Sequence, residues 1–480
     1  MPGVRVRYSP APTGELHVGN ARTALFNFLY ARHVGGSFLL RIEDTDLVRS
    51  TEAAVENVYS VLGWLGLQWD EAPVLQSSFA DHHRSAAQRL VADGHAYECY
   101  CTKEELDARS AAANAQARPP GYDGTCRDLD DAARSARRAE GRPVSIRFRT
   151  PDDGESRFVD AVRGEVVVSW STIADFVIVR SDGAPVFYLA NAIDDIDMRI
   201  THVIRGADLL DTTHRVLAIR HALGVADDPV YAHCPLIIGP GGHKLSKRHG
   251  AVSIEEYRAA GYLAAALVNY LALLGWSPGD DRQVMSTDEM IEAFEIVDIN
   301  HASATFDSQK LEWMNGEHIR AMPTAALIEE VRSFATARYG DAIAADVDGE
   351  RKLSTAIGLA QQRATTLVQI AEQCRFLFTA DDRFEIAPES WDKLAGSERV
   401  AEVLDGVIAH VESCEWTVEA INLIPVVDGL GLKARKALPP VYSAIEGHHA
   451  GLPLFDSIHL LGRERSLARL RAARARLDRG

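Results

Sequence analysis

The sequence predicts an α/β protein: a doubly wound parallel sheet, interrupted by an α+β insertion and followed by an all-α C-terminal region. Three observations carry this reading. Apolar strands alternate with helical stretches at the N-terminus, as in VRVRYSPAPTGELHVGNARTALFNFLYARH (4–33) and FLLRIED (38–44), which is the grammar of strand–helix–strand winding. From about Ala108 to Arg142 the composition shifts to Ala, Arg and Asp around RPPGYDGTC, and strand-like runs then return at VSIRFRT and GEVVVSW. Past about Ser253, Leu, Ala and Arg recur at three- and four-residue intervals almost to the end of the chain.

Composition bounds the function classes. With 480 residues, 46% hydrophobic and 25% charged, the chain has room for several domains with large cores and is expected to be a soluble globular enzyme rather than a disordered protein. Six cysteines are too few for a disulfide framework, and the N-terminus does not resemble a signal peptide, so a reducing cytoplasm is expected. The longest apolar stretch, YLAAALVNYLALLGW (262–276), is shorter than the ~20 residues of a membrane span and contains Asn269; it reads as a buried helix, and no membrane is implied. Acidic residues outnumber basic ones 68 to 51, which argues against a general nucleic-acid binder yet leaves room for local basic surfaces.

Taken in order, a short strand near Val4–Tyr8 runs into two prolines and then a helix whose start carries His17 and Gly19. A turn, a helix N-terminus and a histidine together suit a phosphate. The strand at 38–44 ends in carboxylates and leads to an amphipathic helix from about Thr51 to Leu65. Ligands of such sheets bind at the carboxyl ends of strands, so Ser9–Gly14 and Glu43–Asp46 are expected to meet. After Phe187 the alternation resumes, with VFYLANAIDDIDM, THVIRGADLL and HCPLIIG read as strands or strand ends. GGHKLSKRHGA (241–251) sets Lys244, Lys247 and Arg248 on a glycine-bearing loop, either a phosphate-closing loop or an ordinary basic surface. The tail GRERSLARLRAARARLDRG reads as an arginine-laden helix, its arginines either a solvated face or turned to RNA.

HVGN early, an insertion, then KLSKR after the sheet resumes: this order resembles the two ATP signatures of class I aminoacyl-tRNA synthetases. Within that class RYSPAPTGELHVGNARTALFNFLYAR, RIEDTD, DFVIVRSDGAPVFYLANAIDDIDMRITHVIRGADLL and LSKRHGA resemble the bacterial-type glutamyl-tRNA synthetase family. The likeness runs over about residues 4–320 and thins in the helical C-terminal third, where GLPLFDSIHLLGRERSLARLR still resembles the family's end. It implies a Rossmann-like catalytic domain in two halves, 1–82 and 187–242, with a connective, acceptor-binding insertion at 83–186. A loop and stem-contacting helical domain at 243–320 and an anticodon-binding region at 321–480 would follow. It further implies a cytoplasmic monomer without membrane contact that attaches L-glutamate to tRNA(Glu), using ATP and Mg2+ through a glutamyl-adenylate and releasing AMP and diphosphate.

Site residues follow from the same resemblance. His17, Lys244 and Lys247 are the catalytic candidates, and His17, Gly19, Asp208, Leu236 and Lys247 the ATP contacts. Attack on the α-phosphorus builds charge on phosphate oxygens, so catalysis is positioning plus charge stabilisation. Asn20 stands where other class I members carry a second histidine. Arg7, Ser9, Ala11, Glu43, Phe187, Asn191 and Arg205 form the glutamate set: arginine forks suit two carboxylates and Glu43 suits the α-ammonium. An internal ion pair is the structural alternative for each arginine.

Several positions depart from the family. Serine is usual at Ala11, alanine at Ser9 and tyrosine at Phe187, and GADLLDTTHR differs from the usual GEDLLxxTPR. These changes would suit a paralogue of shifted substrate or inhibitor sensitivity. Cys99, Cys101 and Cys126 resemble the family's zinc-binding part, but Asp128 stands where a histidine completes it. Zinc could be held with Asp128 or Tyr122, or the three thiols could be structural. The remaining cysteines read as core residues. A tRNA-independent adenylating enzyme, a shortened tRNA-modifying relative, a non-catalytic RNA binder and a glutaminyl enzyme each fit less well, given the helical C-terminal third and the lysines of the second signature. Charging of tRNA(Gln) depends on anticodon contacts that Arg363, Ala371 and Tyr442 leave open.

Overall fold

The computed structural model describes residues 3–46, 49–115, 121–243 and 253–479. The chain divides into two compact units, one of residues 1–257 and 267–308, the other of 258–266 and 309–480.

In the first unit β1 (Arg5–Tyr8), α1 (Val18–His33), β2 (Ser37–Ile42), α2 (Glu52–Trp64) and β3 (Val74–Leu75) follow in order. The strands pair in parallel as β1-β2-β3. Ala21, Ala24, Leu25, Phe26, Phe28 and Leu29 bury α1 on most of its faces, as expected of a helix covering a parallel sheet. Gly36 closes the turn into β2, where a Cβ would lie 2.5 Å from the carbonyl oxygen of Val4. Thr51 caps α2, its Oγ1 accepting the Ala54 N–H at 3.2 Å.

The chain continues through α3 (Ala80–Ala92), β4 (Ala96–Cys99), α4 (Lys103–Ala115), α5 (Asp131–Ala139), β5 (Ser145–Phe148), β6 (Glu155–Asp160), β7 (Gly164–Ser169) and β8 (Phe176–Val179). β4, β5 and β8 make a separate antiparallel sheet. The β6–β7 hairpin does not join it. Although it lies inside the 83–186 segment, β6 pairs in parallel with β10 (Val230–Cys234), which pairs in parallel with β9 (His202–Gly206).

β1 and β9, edges of their two sheets, lie side by side: the Thr201 N–H donates to the Arg5 carbonyl at 3.0 Å and the Arg5 N–H to Thr201 Oγ1 at 2.8 Å. On one side of this seam the chain order runs to β2 and β3, on the other to β10, the topology that opens a crevice at strand ends. Before β9, Phe187–Asp197 is a helix, α6, and not a strand segment as its sequence suggested. A short apolar run fits a buried strand or a buried helix equally, and here the helix buries Leu189, Ala190, Ala192 and Ile193 while turning Asp194 and Asp195 toward arginines. α7 (Thr213–Ala222) follows β9, and beyond β10 a short β11 (Ile237–Ile238) pairs with β12 (Ala304–Thr305).

Among the described residues the second unit has helices and no strand, from Ser308–Ala321 to Arg463–Leu477, around one apolar core that includes Leu327, Val331, Ile357, Ile370, Val407, Val441 and Ile458. The arginine-laden tail divides its cations: Arg471, Arg476 and Arg479 are exposed, as a solvated face requires, whereas Arg465 and Arg469 turn into the protein. Arg469, 3% exposed, donates to the carbonyls of Ile445 at 2.7 Å and Phe376 at 2.9 Å, and Arg465 donates to that of Leu377 at 2.7 Å. Both also pair with Asp381. These cations sit at the C-terminal end of Leu367–Phe378, where a helix dipole favours positive charge. Of the anticodon candidates, Ala371 is fully buried, Arg363 donates to the Gly451 carbonyl at 2.9 Å, and the Tyr442 hydroxyl accepts the Leu454 N–H at 3.1 Å. Among the described residues no helix is long and apolar enough to cross a membrane.

Candidate functional site

A cavity of about 840 Å³ opens where β1, β2, α1, α6, β9 and the segment after β10 converge. Arg7, Ser9, Ala11, His17, Gly19, Glu43, Phe187, Asn191, Arg205, Asp208 and Leu236 all line it. Lys244 and Lys247 lie outside the described residues.

On one side is the N-terminus of α1. His17 is its N-cap, and its Nδ1 accepts the Gly19 N–H at 3.1 Å. A Cβ at position 19 would come within 3.1 Å of the imidazole Cε1, so any larger residue there would press on the ring. An accepting Nδ1 leaves the neutral ring's proton on Nε2, the tautomer that can donate to a phosphate oxygen. Arg22, further along α1, is spent internally: it donates to the carbonyls of Leu274, at 2.8 Å, and Pro235.

The opposite side is built from buried charge. Arg7 forks onto Asp195, Nε to Oδ1 at 3.0 Å and Nη2 to Oδ2 at 3.2 Å. Arg41, fully buried, bonds Asp195 at 2.6 Å and Glu43 at 3.2 Å and lies 3.7 Å from Asp194. Asp194 also takes His83 at 2.6 Å and Gln76 at 2.6 Å. Burial works against ionisation of Asp195, but Arg7 and Arg41 outweigh it and hold its carboxyl well below the usual range. Burial instead prevails at Glu43, whose pKa rises despite the same arginines. Asn191 Nδ2 donates to Glu43 Oε1 at 3.1 Å, fixing this carboxylate on the cavity wall.

Arg205 differs from these arginines in touching no carboxylate. Its Nε donates to His233 Nε2 at 3.1 Å and its Nη2 to Thr213 Oγ1 at 2.8 Å, Thr212 Oγ1 at 3.1 Å and the Leu209 carbonyl at 3.2 Å. Its Nη1 has no partner, nor do Ser9 Oγ and Asn191 Oδ1. Burial pushes the Arg205 pKa down to about 10, which still leaves it cationic at neutral pH. Unsatisfied buried donors and acceptors on residues that line a cavity are costly unless a ligand meets them.

Arg7 therefore combines the two sequence readings: it lines the cavity and is ion-paired. Sequence reasoning missed Arg41, Asp194 and Asp195, although an arginine inside the apolar run FLLRI and an acidic pair inside ANAIDDI each signal a buried counter-charge. In the departing GADLLDTTHR stretch, Thr213 holds Arg205, while His214 Nδ1 lies 2.8 Å from Ser156 Oγ and fastens α7 to β6.

A second cluster lies in the insertion. The sulfurs of Cys99, Cys101 and Cys126 lie within 4.8 Å of one another, and the Tyr122 hydroxyl is 3.5 Å from Cys99 Sγ and 3.7 Å from Cys101 Sγ. Asp128, largely exposed, instead pairs with Arg149 at 3.0 Å.

Comparison with known proteins sets the class first. The family model described as tRNA synthetases class I (E and Q), catalytic domain, matches residues 3–313, and an anticodon binding domain matches 326–474. A glutamate–tRNA ligase of Streptomyces griseus is 43% identical over 98% of this chain and 96% of its own length. Glutamate–tRNA ligase 2 of Brucella ovis is 44% identical over 97% of this chain and 98% of its own. The solved structure of a glutamate tRNA ligase from Elizabethkingia meningosepticum superposes with a TM-score of 0.85 at 32% identity, covering 99% of this chain and 100% of that one. The chain belongs to the glutamate–tRNA ligase family of class I aminoacyl-tRNA synthetases.

Proposed function

We propose that this enzyme attaches L-glutamate to tRNA(Glu), with MgATP as co-substrate, through a glutamyl-adenylate. The observation that carries the choice of amino acid is Arg205: a buried guanidinium without a carboxylate partner, on the same cavity as the acceptor Glu43. A ligand with a side-chain carboxylate meets the first, and its ammonium meets the second. Arg7 offers the α-carboxylate a cation already balanced by Asp195. Glutamine in place of glutamate would leave the Arg205 charge uncompensated in a buried site, a cost that favours glutamate.

The α1 N-terminus and His17 suit the triphosphate on the other side, with Asp208 and Leu236 beside the nucleotide. Lys244 and Lys247, from the second signature, are assigned to the phosphates by resemblance, where they would offset charge growing on diphosphate as it leaves. The helical second unit is assigned to the anticodon arm. Aminoacylation of separately purified tRNA(Glu) and tRNA(Gln) with labelled glutamate tests this reading: charging of tRNA(Glu) is expected, and its absence would refute it. Charging of both would define a non-discriminating enzyme.

The thiol cluster fits zinc with Tyr122 as the fourth donor, since Asp128 is engaged elsewhere. Bound there, the metal would tie the end of β4 to the turn before α5 and serve structure rather than chemistry.

A further inference from the structure

We propose that His233 and Asp160 are positioning residues that fix the direction of Arg205 and keep its charge available to the substrate carboxylate. The inference rests on the assignment of glutamate to this cavity and adds two residues that do not themselves touch the amino acid.

Asp160, the last residue of β6, is 1% exposed, and His233 on β10 is fully buried. Asp160 Oδ2 lies 2.6 Å from His233 Nδ1, while Oδ1 accepts the backbone N–H groups of Val162 and Arg163 at 3.0 Å and of His233 at 3.2 Å. A carboxylate so held requires the proton on Nδ1. His233 Nε2 faces the Arg205 Nε–H at 3.1 Å, and a second proton there would set donor against donor. The ring is therefore the neutral tautomer, an acceptor toward Arg205 and a donor toward Asp160.

This arrangement gives Arg205 orientation without neutralising it. A carboxylate placed directly on the guanidinium, as Asp195 is on Arg7, would spend the charge within the protein. With an imidazole between Asp160 and Arg205, Nε is anchored by a neutral acceptor, Nη2 by three neutral oxygens, and Nη1 is left for the ligand. Asp160 reaches this point only because the β6–β7 hairpin pairs with β10. A stretch of the inserted segment thus tunes amino-acid recognition.

Steady-state aminoacylation of tRNA(Glu), with glutamate and ATP varied separately, tests the proposal on His233→Leu, His233→Gln, His233→Asn and Asp160→Asn, each checked for folding by thermal melting. Loss of one hydrogen bond to a charged group predicts that His233→Leu raises the glutamate KM about 10- to 100-fold, with an ATP KM within about twofold. His233→Gln, whose amide oxygen reaches the Nε2 position, recovers most of that loss; His233→Asn, which reaches only the Nδ1 position, does not. Asp160→Asn falls between, and the preference for glutamate over glutamine declines with the KM. Equal glutamate KM across folded variants, or an equal rise for ATP, overturns the positioning role. Should the leucine variant not fold, the ordering of Gln against Asn decides. If the unaltered enzyme shows no saturable charging with glutamate, the functional reading itself fails, which is distinct from a wild type that charges while the His233 variants match it.

Discussion

On the proposed assignment of Arg205 to the glutamate side chain, replacing it by alanine separates recognition from stability. The side chain is 5% exposed and all four of its hydrogen bonds go to neutral groups. Its removal strands no charge, and the acceptors it leaves already have one another: Thr212 Oγ1 bonds the Leu209 carbonyl at 2.6 Å, and Thr213 Oγ1 lies 3.3 Å from His233 Nε2. The expected loss of stability is therefore about 1 to 2 kcal/mol. Recognition loses more, because one or two hydrogen bonds to a carboxylate disappear together with the charge that offsets it. At about 2 to 4 kcal/mol this raises the glutamate KM about 30- to 900-fold. Arg7→Ala is the control. It leaves the buried Asp195 with Arg41 alone, so the melting temperature should fall well below that of Arg205→Ala. The assay is aminoacylation with glutamate and ATP varied in turn, alongside thermal melts of both variants. An ATP KM that rises as much as the glutamate KM, or an Arg205→Ala melt as low as that of Arg7→Ala, would refute the reasoning.

Four further outcomes are expected. Arg41→Met should destabilise the first unit by about 3 to 5 kcal/mol, since Glu43, Asp194 and Asp195 lose their shared cation; denaturant unfolding measures this. Ser9 Oγ lacks a partner, so if it has taken over the contact of the hydroxyls absent at Ala11 and Phe187, Ser9→Ala should weaken a glutamyl-adenylate analogue more than Ala11→Ser or Phe187→Tyr changes it; calorimetric affinities rank the three. Burial raises the Glu446 pKa to about 7, against the Ser457 hydroxyl that donates to it at 2.6 Å. Its stabilising share is complete below the unfolded value of 4.5 and gone once pH has risen through about 7, so Glu446→Gln should flatten the fall in melting temperature across that window. Metal analysis should find one zinc per chain in the enzyme as purified and less in Tyr122→Phe; equal content would remove Tyr122 from the ligand set.

Legibility in the sequence followed the reach of local pattern. His17 at a helix start and Glu43 at a strand end could be read because turn chemistry and strand polarity act over a few residues, and both line the cavity. The helix at Phe187–Asp197 could not, since what separates it from a strand is the distant arginines that receive Asp195. The partnership of Asp160 with His233 spans 73 residues and two segments with no shared motif. Tail arginines carry no mark that distinguishes a solvent-facing one from Arg469, whose role is set by carbonyls at Phe376 and Ile445. The surroundings of the thiols were equally out of reach, since Tyr122 is brought beside Cys99 and Cys101 by the fold while Asp128 pairs with Arg149.

The seam between β1 and β9 also dictates when the cavity can exist during synthesis. Arg5 and Thr201 meet across a separation of 196 residues, so the strands carrying Arg7 and Arg205 cannot come together until the ribosome has released all of α3 through β8. Such long-range pairing is entropically costly to close and slow to form. Until then β1 is an open sheet edge in a nascent chain, the kind of edge that invites wrong partners. Chains halted before β9 should expose that edge and lack the wall of the cavity that carries Arg205.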